Sequence, residues 1–266
     1  MTPHDEQTWA SRFRLDGRRV LVAGAGQGMG AATSTAIHAL GGTVACADVD
    51  PDRARAIADR TSGIGLVGDL TRAADCERVV DQAADQLGGL DGLVDIIGMW
   101  PDELWRTLDR IEPEVWRRGA ELTLDHAFYL SRAVLPHLRD GGGSVVFISS
   151  LSGATSAPLH GPYGAGKAGL RSLARTLALE NAPHGVRANT VSPGAIRTPR
   201  IAASSPAETL DRIGASIPAG HLGDVDDIAG AVAFLLSDAA AYVTGVDLRV
   251  DGGAGVVYPL HTVGDG

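Results

Sequence analysis

A serine, a tyrosine and the only lysine of the chain stand at spacings that suit proton transfer. Ser150 ends an apolar run, Tyr163 follows 13 positions later, and Lys167 lies four residues beyond Tyr163. Residues four apart in a helix share one face, so the phenol and the ammonium are expected to lie side by side. A free tyrosine has a pKa near 10, and an ammonium about 4 Å away would supply roughly the 4 kcal/mol that brings it near neutrality. The trio therefore predicts a phenol that gives and takes a proton, with Ser150 donating to an oxygen that gains negative charge.

A glycine-rich segment near the N-terminus has the form of a phosphate-binding turn. Gly24, Gly28 and Gly30 lie between an apolar run over 19–23 and a helix-like stretch. Backbone N–H groups at a helix N-terminus bind pyrophosphate, and residues without a Cβ let the chain approach it closely. The pattern G-x-G-x-x-A also fits residues 26–31, so the glycines alone do not decide which variant of the loop is present. A purely structural turn is the alternative.

An aspartate follows the glycine loop at the distance that suits ribose binding. Asp48 ends the second apolar run and is followed by Val49, and no lysine or arginine occupies positions 25–29 or 49. A carboxylate there accepts hydrogen bonds from both ribose hydroxyls of the adenosine and repels a 2′-phosphate. We therefore expect NAD(H) in preference to NADP(H). The alternatives are that Asp48 only opens a turn, or that Arg53 reaches a phosphate.

Apolar runs and helix-like stretches alternate along the chain. The alternation predicts an α/β fold with a single doubly wound parallel sheet and helices on both faces. A polar extension over 1–14 precedes this domain, which spans 15–266, and the irregular segment 194–223 is expected to form a substrate lid. The runs that suit strands cover 19–23, 43–48, 64–67, 92–97, 144–149, 187–191 and 247–250, and the helical stretches cover 31–40, 52–60, 76–87, 116–138, 164–181 and 225–236.

Composition and charge narrow the class of partner. The chain has 266 residues, a formal net charge of -9, and two cysteines, neither in a CxxC pair. An acidic surface suits neither nucleic acid nor an anionic membrane, and no apolar stretch reaches the roughly 18 residues that span a bilayer. The polar N-terminus is unlike a signal peptide, and the histidines lack metal-ligand spacing. We expect a cytoplasmic protein that acts on a small molecule, with no metal, nucleic acid or membrane partner.

Taken together, these motifs resemble the short-chain dehydrogenase/reductase family over residues 15–253. The loop is similar to the family's T-G-x-x-x-G-x-G with Ala23 in place of threonine, and Tyr163-x-x-x-Lys167 with Ser150 is similar to its active-site signature. The resemblance implies a Rossmann-like sheet of about seven strands, hydride transfer with NAD(P), and a homotetramer. The cofactor-binding positions that it implies are Gly24, Gln27, Gly28, Met29, Gly30, Asp48, Val49, Asp69, Leu70, Ile97, Gly98, Tyr163, Lys167, Pro193, Gly194, Ile196 and Thr198.

The chain departs from the family pattern at two places. Where the family usually has N-N-A-G after the fourth strand, this sequence has Asp95-Ile96-Ile97-Gly98. Other contacts must therefore hold that strand to the helix that follows it. The helix asparagine that often completes a water-linked proton relay falls on Thr123. Thr123 is therefore the predicted relay residue, with Asp125 or His126 as alternative contributors.

The most specific hypothesis is an NAD(H)-dependent oxidoreductase that interconverts a secondary alcohol and a ketone. An apolar cyclic substrate, terpenoid-like or steroid-like, is expected. Besides Ser150, the candidate substrate-binding residues are Trp100, which follows a strand end, and His160, three residues before Tyr163. A surface histidine and a packing tryptophan are the alternatives for these two residues. For the whole chain the alternatives are a dinucleotide-binding sensor or scaffold with little or no catalysis, and a dehydratase or epimerase that uses bound NAD.

Overall fold

Seven parallel strands form the central sheet of the protein, which a computed structural model describes over residues 6–98 and 105–256. The five inner strands are largely buried, as expected of a parallel sheet covered by helices, while the edge strands β3 and β9 are partly exposed. Their order across the sheet is β3-β2-β1-β4-β5-β6-β9. The strands are β1 (Arg19–Ala23), β2 (Thr43–Asp48), β3 (Ile64–Val67), β4 (Gly92–Asp95), β5 (Gly143–Ile148), β6 (Val186–Pro193) and β9 (Asp247–Val250), and a separate parallel pair consists of β7 (Ile196–Arg197) and β8 (Gly223–Asp224).

Helices cover both faces of the sheet, which confirms the predicted Rossmann-like single domain. One face packs residues such as Val79, Leu130 and Phe147, and the other packs Ile37 and Leu235. The helices are α1 (Glu6–Ser11), α2 (Gly28–Ala39), α3 (Pro51–Thr61), α4 (Ala73–Leu87), α5 (Pro113–Ala120), α6 (His126–Leu138), α7 (Leu151–Ala154), α8 (Gly161–Asn181), α9 (Pro199–Ser204), α10 (Ala207–Ala215) and α11 (Val225–Leu236), with a π-helical turn over Glu121–Asp125 between α5 and α6.

The register of the parallel strands brings the predicted motifs to one edge of the sheet. Ala23, the last residue of β1, pairs with Ala47 of β2 and with Asp95 of β4. Asp95 in turn pairs with Phe147, near the end of β5. The glycine loop, Asp48 and the segment after Ile148 therefore all leave the sheet at its carboxyl edge, where ligands bind in open α/β sheets.

Several predicted boundaries differ from the structure. Strand β4 ends at Asp95 rather than at residue 97, because the Asp95 side chain accepts a hydrogen bond from the Ile97 N–H at 3.1 Å and turns the chain. Strand β5 lies one residue earlier than predicted, and β6 continues to Pro193 rather than stopping at 191. The helix predicted over 116–138 begins at Pro113, where proline suits a first helical turn, and the π-helical turn interrupts it.

The segment 194–223 is more regular than predicted. It contains β7, α9 and α10, and β7 pairs with β8 through Ile196 and Gly223. Cys46 and Cys76 are buried free thiols. Within the described ranges 6–98 and 105–256, no helix has the length and apolar character needed to cross a membrane.

Candidate active site

The glycine loop between β1 and α2 forms a cradle in which side chains are excluded. Gly24 and Gly28 have φ values of 79° and 54°, a region that favours glycine. A Cβ on Gly30 would collide with the carbonyl oxygen of Gly24. No side chain caps the first turn of α2, whose preceding residue is the exposed Gln27, while Met29 packs inward against the core. A helix N-terminus with uncapped N–H groups beside a side-chain-free loop suits a pyrophosphate.

Asp48 closes the cradle at the end of β2. Its side chain is 8% exposed and accepts hydrogen bonds from the N–H of Gly26 at 2.9 Å and of Asp50 at 3.0 Å. The carboxylate is thus fixed in orientation and retains further lone pairs for hydroxyl donors. Arg53, the alternative phosphate-binding residue, lies 3.4 Å from the Asp50 carboxylate, and Val49 is exposed beside the cradle.

Lys167 is anchored under the same edge of the sheet. The side chain is 2% exposed, and its Nζ donates to the carbonyl oxygens of Ile97 at 3.0 Å and Ile148 at 2.7 Å. A Cβ on Gly98 would lie 2.6 Å from Nζ, so a side chain there would displace the ammonium. Burial lowers the pKa of Lys167 to about 8, while the negative charge of Asp95 opposes that shift.

Ser150 and Tyr163 meet beside Lys167. Ser150 follows β5 and caps α7, and its side chain is hydrogen-bonded to the Tyr163 side chain on α8. The Lys167 Nζ is 5.9 Å from the centroid of the Tyr163 ring. The structure therefore brings together the three residues that the sequence selected for proton transfer.

The electrostatics of Tyr163 differ from the expectation that Lys167 alone brings its phenol near neutrality. Burial raises the pKa of Tyr163, and the hydrogen bond with Ser150 lowers it. The ammonium of Lys167 is shared between two backbone carbonyls, with its Nζ 5.9 Å from the centroid of the Tyr163 ring. Burial and the Ser150 hydrogen bond therefore act on the phenol in addition to the nearby ammonium.

Thr123 lies in the π-helical turn, packed against α8. Its Oγ1 donates to the Gly119 carbonyl at 2.6 Å, and a Cβ on Gly166 would collide with Oγ1. The Thr123 hydroxyl proton is thus used inside its own helix, and the residue sets how closely that helix approaches α8. A water relay through Thr123 stays a prediction, and the alternative contributor His126 points instead at Asp95, with 3.0 Å between Nε2 and Oδ2.

A cleft of about 660 Å³ adjoins the helix that carries Tyr163. His160, which lines it, contacts the Ser152 Oγ through Nδ1 at 2.8 Å, and its ring centroid is 6.3 Å from that of Tyr163. Trp105 packs edge-on against His160 with 4.5 Å between centroids. Burial lowers the pKa of His160. Trp100, the other predicted substrate contact, lies outside the described residues.

The remaining predicted cofactor positions lie along the same edge. Thr198 caps α9 by accepting from the Ile201 N–H, and a Cβ on Gly28 would lie 3.8 Å from the Thr198 Cβ, so the segment 194–223 begins directly over the glycine loop. Pro193 ends β6, and Gly194 donates to the Val250 carbonyl at 2.9 Å. Asp69 accepts hydrogen bonds from Thr71, and Leu70 and Ile196 are buried.

Sequence reasoning missed the partner of Asp95. The sequence shows Asp95 where the family usually has an asparagine. Its partner His126 is 31 residues away in the chain, and their contact depends on how α6 packs. Across the two described ranges, no group of three or more His, Cys, Asp or Glu side chains is arranged to hold a metal ion.

Comparisons with known proteins place this site in a family. Residues 24–255 match the family described as Enoyl-(Acyl carrier protein) reductase. The chain is 35% identical over 251 residues to L-fucose dehydrogenase of Bos taurus, covering 92% of each chain. It is 36% identical over 244 residues to 3-oxoacyl-[acyl-carrier-protein] reductase of Escherichia coli K12, covering 91% of this chain and 98% of that protein.

A solved structure shows the same fold. The 7α-hydroxysteroid dehydrogenase complexed with NADH and 7-oxoglycochenodeoxycholic acid superposes with a TM-score of 0.85 at 29% identity, covering 92% of this chain and 96% of that one. The chain therefore belongs to the short-chain dehydrogenase/reductase family. It is an oxidoreductase of the kind that uses a nicotinamide dinucleotide.

Proposed function

We propose that this protein is an NAD(H)-dependent oxidoreductase that interconverts a secondary alcohol and a ketone. The observation that carries the proposal is the meeting of Ser150, Tyr163 and Lys167 at the carboxyl edge of the sheet. Lys167 is buried and hydrogen-bonded to the carbonyls of Ile148, at the end of β5, and of Ile97, in the turn after β4, which fixes it relative to the phenol. A solvated surface lysine would show neither feature.

The cradle fits a dinucleotide. Gly24, Gly28 and Gly30 would hold the pyrophosphate at the N-terminus of α2, where a Cβ on Gly30 has no room. Asp48 would accept the adenosine ribose hydroxyls. When bound, NAD(H) supplies or accepts the hydride, and its oxidised ring adds the positive charge that favours ionisation of the phenol. The other predicted cofactor contacts lie around this cradle and keep their assigned roles in the proposal.

Tyr163 carries the proton. In the direction of reduction its hydroxyl donates to the carbonyl oxygen of the ketone, and in the direction of oxidation its phenolate takes the proton from the alcohol. Ser150 donates a hydrogen bond to the same oxygen, where negative charge develops. An ammonium has three donors, and Lys167 uses two on backbone carbonyls, which leaves the third for a ribose hydroxyl of the cofactor.

The preference for NAD(H) follows from Asp48. The carboxylate is held by the N–H groups of Gly26 and Asp50, so it cannot easily swing away from an incoming 2′-phosphate. Arg53, the nearby cation, is engaged with Asp50. A phosphate placed beside Asp48 would face a fixed negative charge without a matched partner.

A cyclic substrate suits the outer side of the cleft. Leu108, His160 and residues of the short helix α7 line a space of several hundred cubic ångströms next to the helix that carries Tyr163, and Trp105 packs against His160. Among similar proteins, one was solved with a 7-oxo bile acid, which has an apolar ring system, whereas the L-fucose in the name of another is a polar ring. We therefore propose an apolar cyclic alcohol, terpenoid-like or steroid-like, with His160 and Trp100 as substrate contacts and residues 194–223 as the lid.

The proposal also includes the assembly expected of the family, a cytoplasmic homotetramer. Exposed apolar side chains on the outer helices, Trp116 on α5, Phe128 on α6 and Leu179 on α8, support burial of those faces between copies. Light scattering that gives four times the chain mass supports the tetramer, and a monomer mass contradicts it.

A screen of cyclic, aromatic, terpenoid and steroid alcohols with NAD and NADP tests the function. We expect turnover with at least one cyclic secondary alcohol, measured by the absorbance of the reduced cofactor. The kcat/KM should be higher with NAD than with NADP. A clear preference for NADP would overturn the cofactor assignment. Tight NADH binding without turnover across the panel and its ketones would favour the sensor alternative, to which the engaged hydroxyl of Thr123 lends some support.

A further inference from the structure

A buried carboxylate and imidazole pair lies directly beneath the proton-transfer residues. Asp95, at the end of β4, is 1% exposed, and His126, at the start of α6, is fully buried. The His126 Nε2 is 3.0 Å from the Asp95 Oδ2, and its Nδ1 is 3.1 Å from the Glu121 carbonyl oxygen in the π-helical turn. The facing Oδ2 and Nε2 atoms are within ion-pair distance but form no hydrogen bond, and the other polar atom of each side chain contacts the backbone.

The second carboxylate oxygen of Asp95 connects the pair to Lys167. It accepts from the Ile97 N–H at 3.1 Å, and the carbonyl of the same residue, Ile97, accepts from the Lys167 Nζ at 3.0 Å. Asp95 therefore shapes the turn that presents one of the two Lys167 acceptors. A change in the orientation of Asp95 would move that acceptor.

The charge of Asp95 also reaches the groups around it. Burial lowers the pKa of Lys167, and the negative charge of Asp95 opposes that effect. On Cys76 of α4 it adds to burial, the main cause, in raising the pKa of the thiol to about 12. The titratable groups that face this region are therefore His126 from α6, Cys76 from α4, and Tyr163 and Lys167 from α8.

We propose that Asp95 and His126 are positioning residues that act as one unit, in which His126 fixes the orientation of Asp95 and Asp95 holds the turn whose Ile97 carbonyl binds Lys167. The inference rests on the proposed function in assigning Lys167 to the reaction. The pair takes the place of the amides of the N-N-A-G motif, so the connection after β4 depends on two residues that must be present together. His126 acts on Lys167 only through Asp95.

The single lysine of the chain permits a direct test without any turnover. Protein labelled with ¹³C at lysine Cε gives one lysine signal, that of Lys167, whose pH titration is expected to have its midpoint near 8 in the wild type. In Asp95→Asn the midpoint should fall by about one pH unit, the size expected of a unit charge acting over about 10 Å at an effective dielectric of about 20. His126→Gln should lower it by less, because the Asp95 side chain stays in place but loses the contact that fixes its orientation.

The double variant decides whether the two residues form one unit. Asp95→Asn with His126→Gln should titrate like Asp95→Asn alone, since His126 has no route to Lys167 once the charge is gone. The matched control is the surface pair of the same residue types, His137 of α6 and Asp81 of α4, whose ring nitrogen and carboxylate are 3.2 Å apart. Asp81→Asn and His137→Gln should leave the midpoint unchanged.

Two results would overturn the inference. One is an unchanged midpoint in Asp95→Asn together with a lower melting temperature, which would mean that the pair only stabilises the fold. The other is additive shifts in the double variant. Because the readout is the titration of Lys167 in the free protein, the result does not depend on whether a substrate has been found, and failure of the proposed dehydrogenase activity would be seen separately in the alcohol screen.

Discussion

The proton-transfer residues and the cleft near them are built from different parts of the fold. Ser150, Tyr163 and Lys167, here called the inner wall, stand after strand β5 and on the long helix α8, and the lysine is buried and hydrogen-bonded to two backbone carbonyls. Leu108 and His160 of the cleft, with Trp105 packed against His160, are here called the outer wall and belong to loops and short turns. Trp105 and Leu108 are exposed. The proposed function thus assigns the chemistry to the rigid scaffold and the substrate contacts to segments that can vary.

This difference predicts that changes in the inner wall lower turnover, while changes in the outer wall shift substrate affinity. The largest effect is expected for Lys167→Met, because one substitution removes the positive charge beside Tyr163 and the proposed contact with the cofactor ribose. We expect kcat/KM to fall by about ten-thousandfold and NADH binding to weaken as well. Arg175→Met, an exposed position on the same helix, is the control and should retain activity. A near-normal kcat/KM in Lys167→Met would contradict the assignment of the inner wall to catalysis.

Two adjacent serines separate catalysis from stability within the inner wall. Ser150→Ala should lower kcat by about a hundredfold to a thousandfold, the cost of removing one donor to a developing oxyanion. Ser149 instead donates its hydroxyl to the Lys167 carbonyl at 2.8 Å, facing the helix rather than the cleft. Ser149→Ala should lower the free energy of unfolding by about 1 kcal/mol and reduce kcat far less. Equal kcat losses in the two variants would contradict the assignment of Ser150.

Asp48 lies away from both walls, so its replacement should alter cofactor choice and leave the chemical step intact. In Asp48→Asn the ratio of kcat/KM with NADH to that with NADPH should fall by about tenfold to a hundredfold, the worth of hydrogen bonds to a charged group. Asp50→Asn is a close control, since asparagine also caps a helix and Asp50 caps α3. An unchanged ratio in Asp48→Asn would show that discrimination lies elsewhere.

The smallest effect is expected on the outer wall. His160→Ala should raise the KM for a cyclic substrate by about threefold to tenfold while kcat stays within about twofold, because the ring contributes contact area and one hydrogen bond to Ser152. His184→Ala, an exposed histidine beyond the other end of α8, should change neither constant. A loss of kcat in His160→Ala as large as that in Ser150→Ala would erase the distinction between the walls.

The sheet and the three residues of the inner wall were predictable because their signals are local. Strands β1, β2 and β3 begin and end where their apolar runs do, and the four-residue spacing of Tyr163 and Lys167 needs only helical geometry. Helix α8 begins three residues earlier than predicted because Gly161 and Pro162 read as a turn, although proline is well suited to a first helical turn.

Features that depend on packing between distant elements were not predictable. The contact of Asp95 with His126, the engagement of Thr123 with Gly119, and the strand pair within 194–223 each require knowing how helices or loops lie against the sheet. The balance of effects on the Tyr163 pKa is of the same kind, since burial and the position of the Lys167 ammonium are properties of the folded cavity.

The central claim, that the Tyr163 hydroxyl moves the proton, is tested most directly by Tyr163→Phe, which removes the hydroxyl and keeps the ring. Turnover and NADH binding should be measured on the same preparation, with Tyr242→Phe, a fully exposed tyrosine, as the control. The account predicts a fall in kcat of about a thousandfold or more, with the NADH dissociation constant within about twofold of the wild type and Tyr242→Phe unchanged. Undiminished turnover in Tyr163→Phe, or a loss of turnover that merely follows a loss of NADH binding, would contradict it.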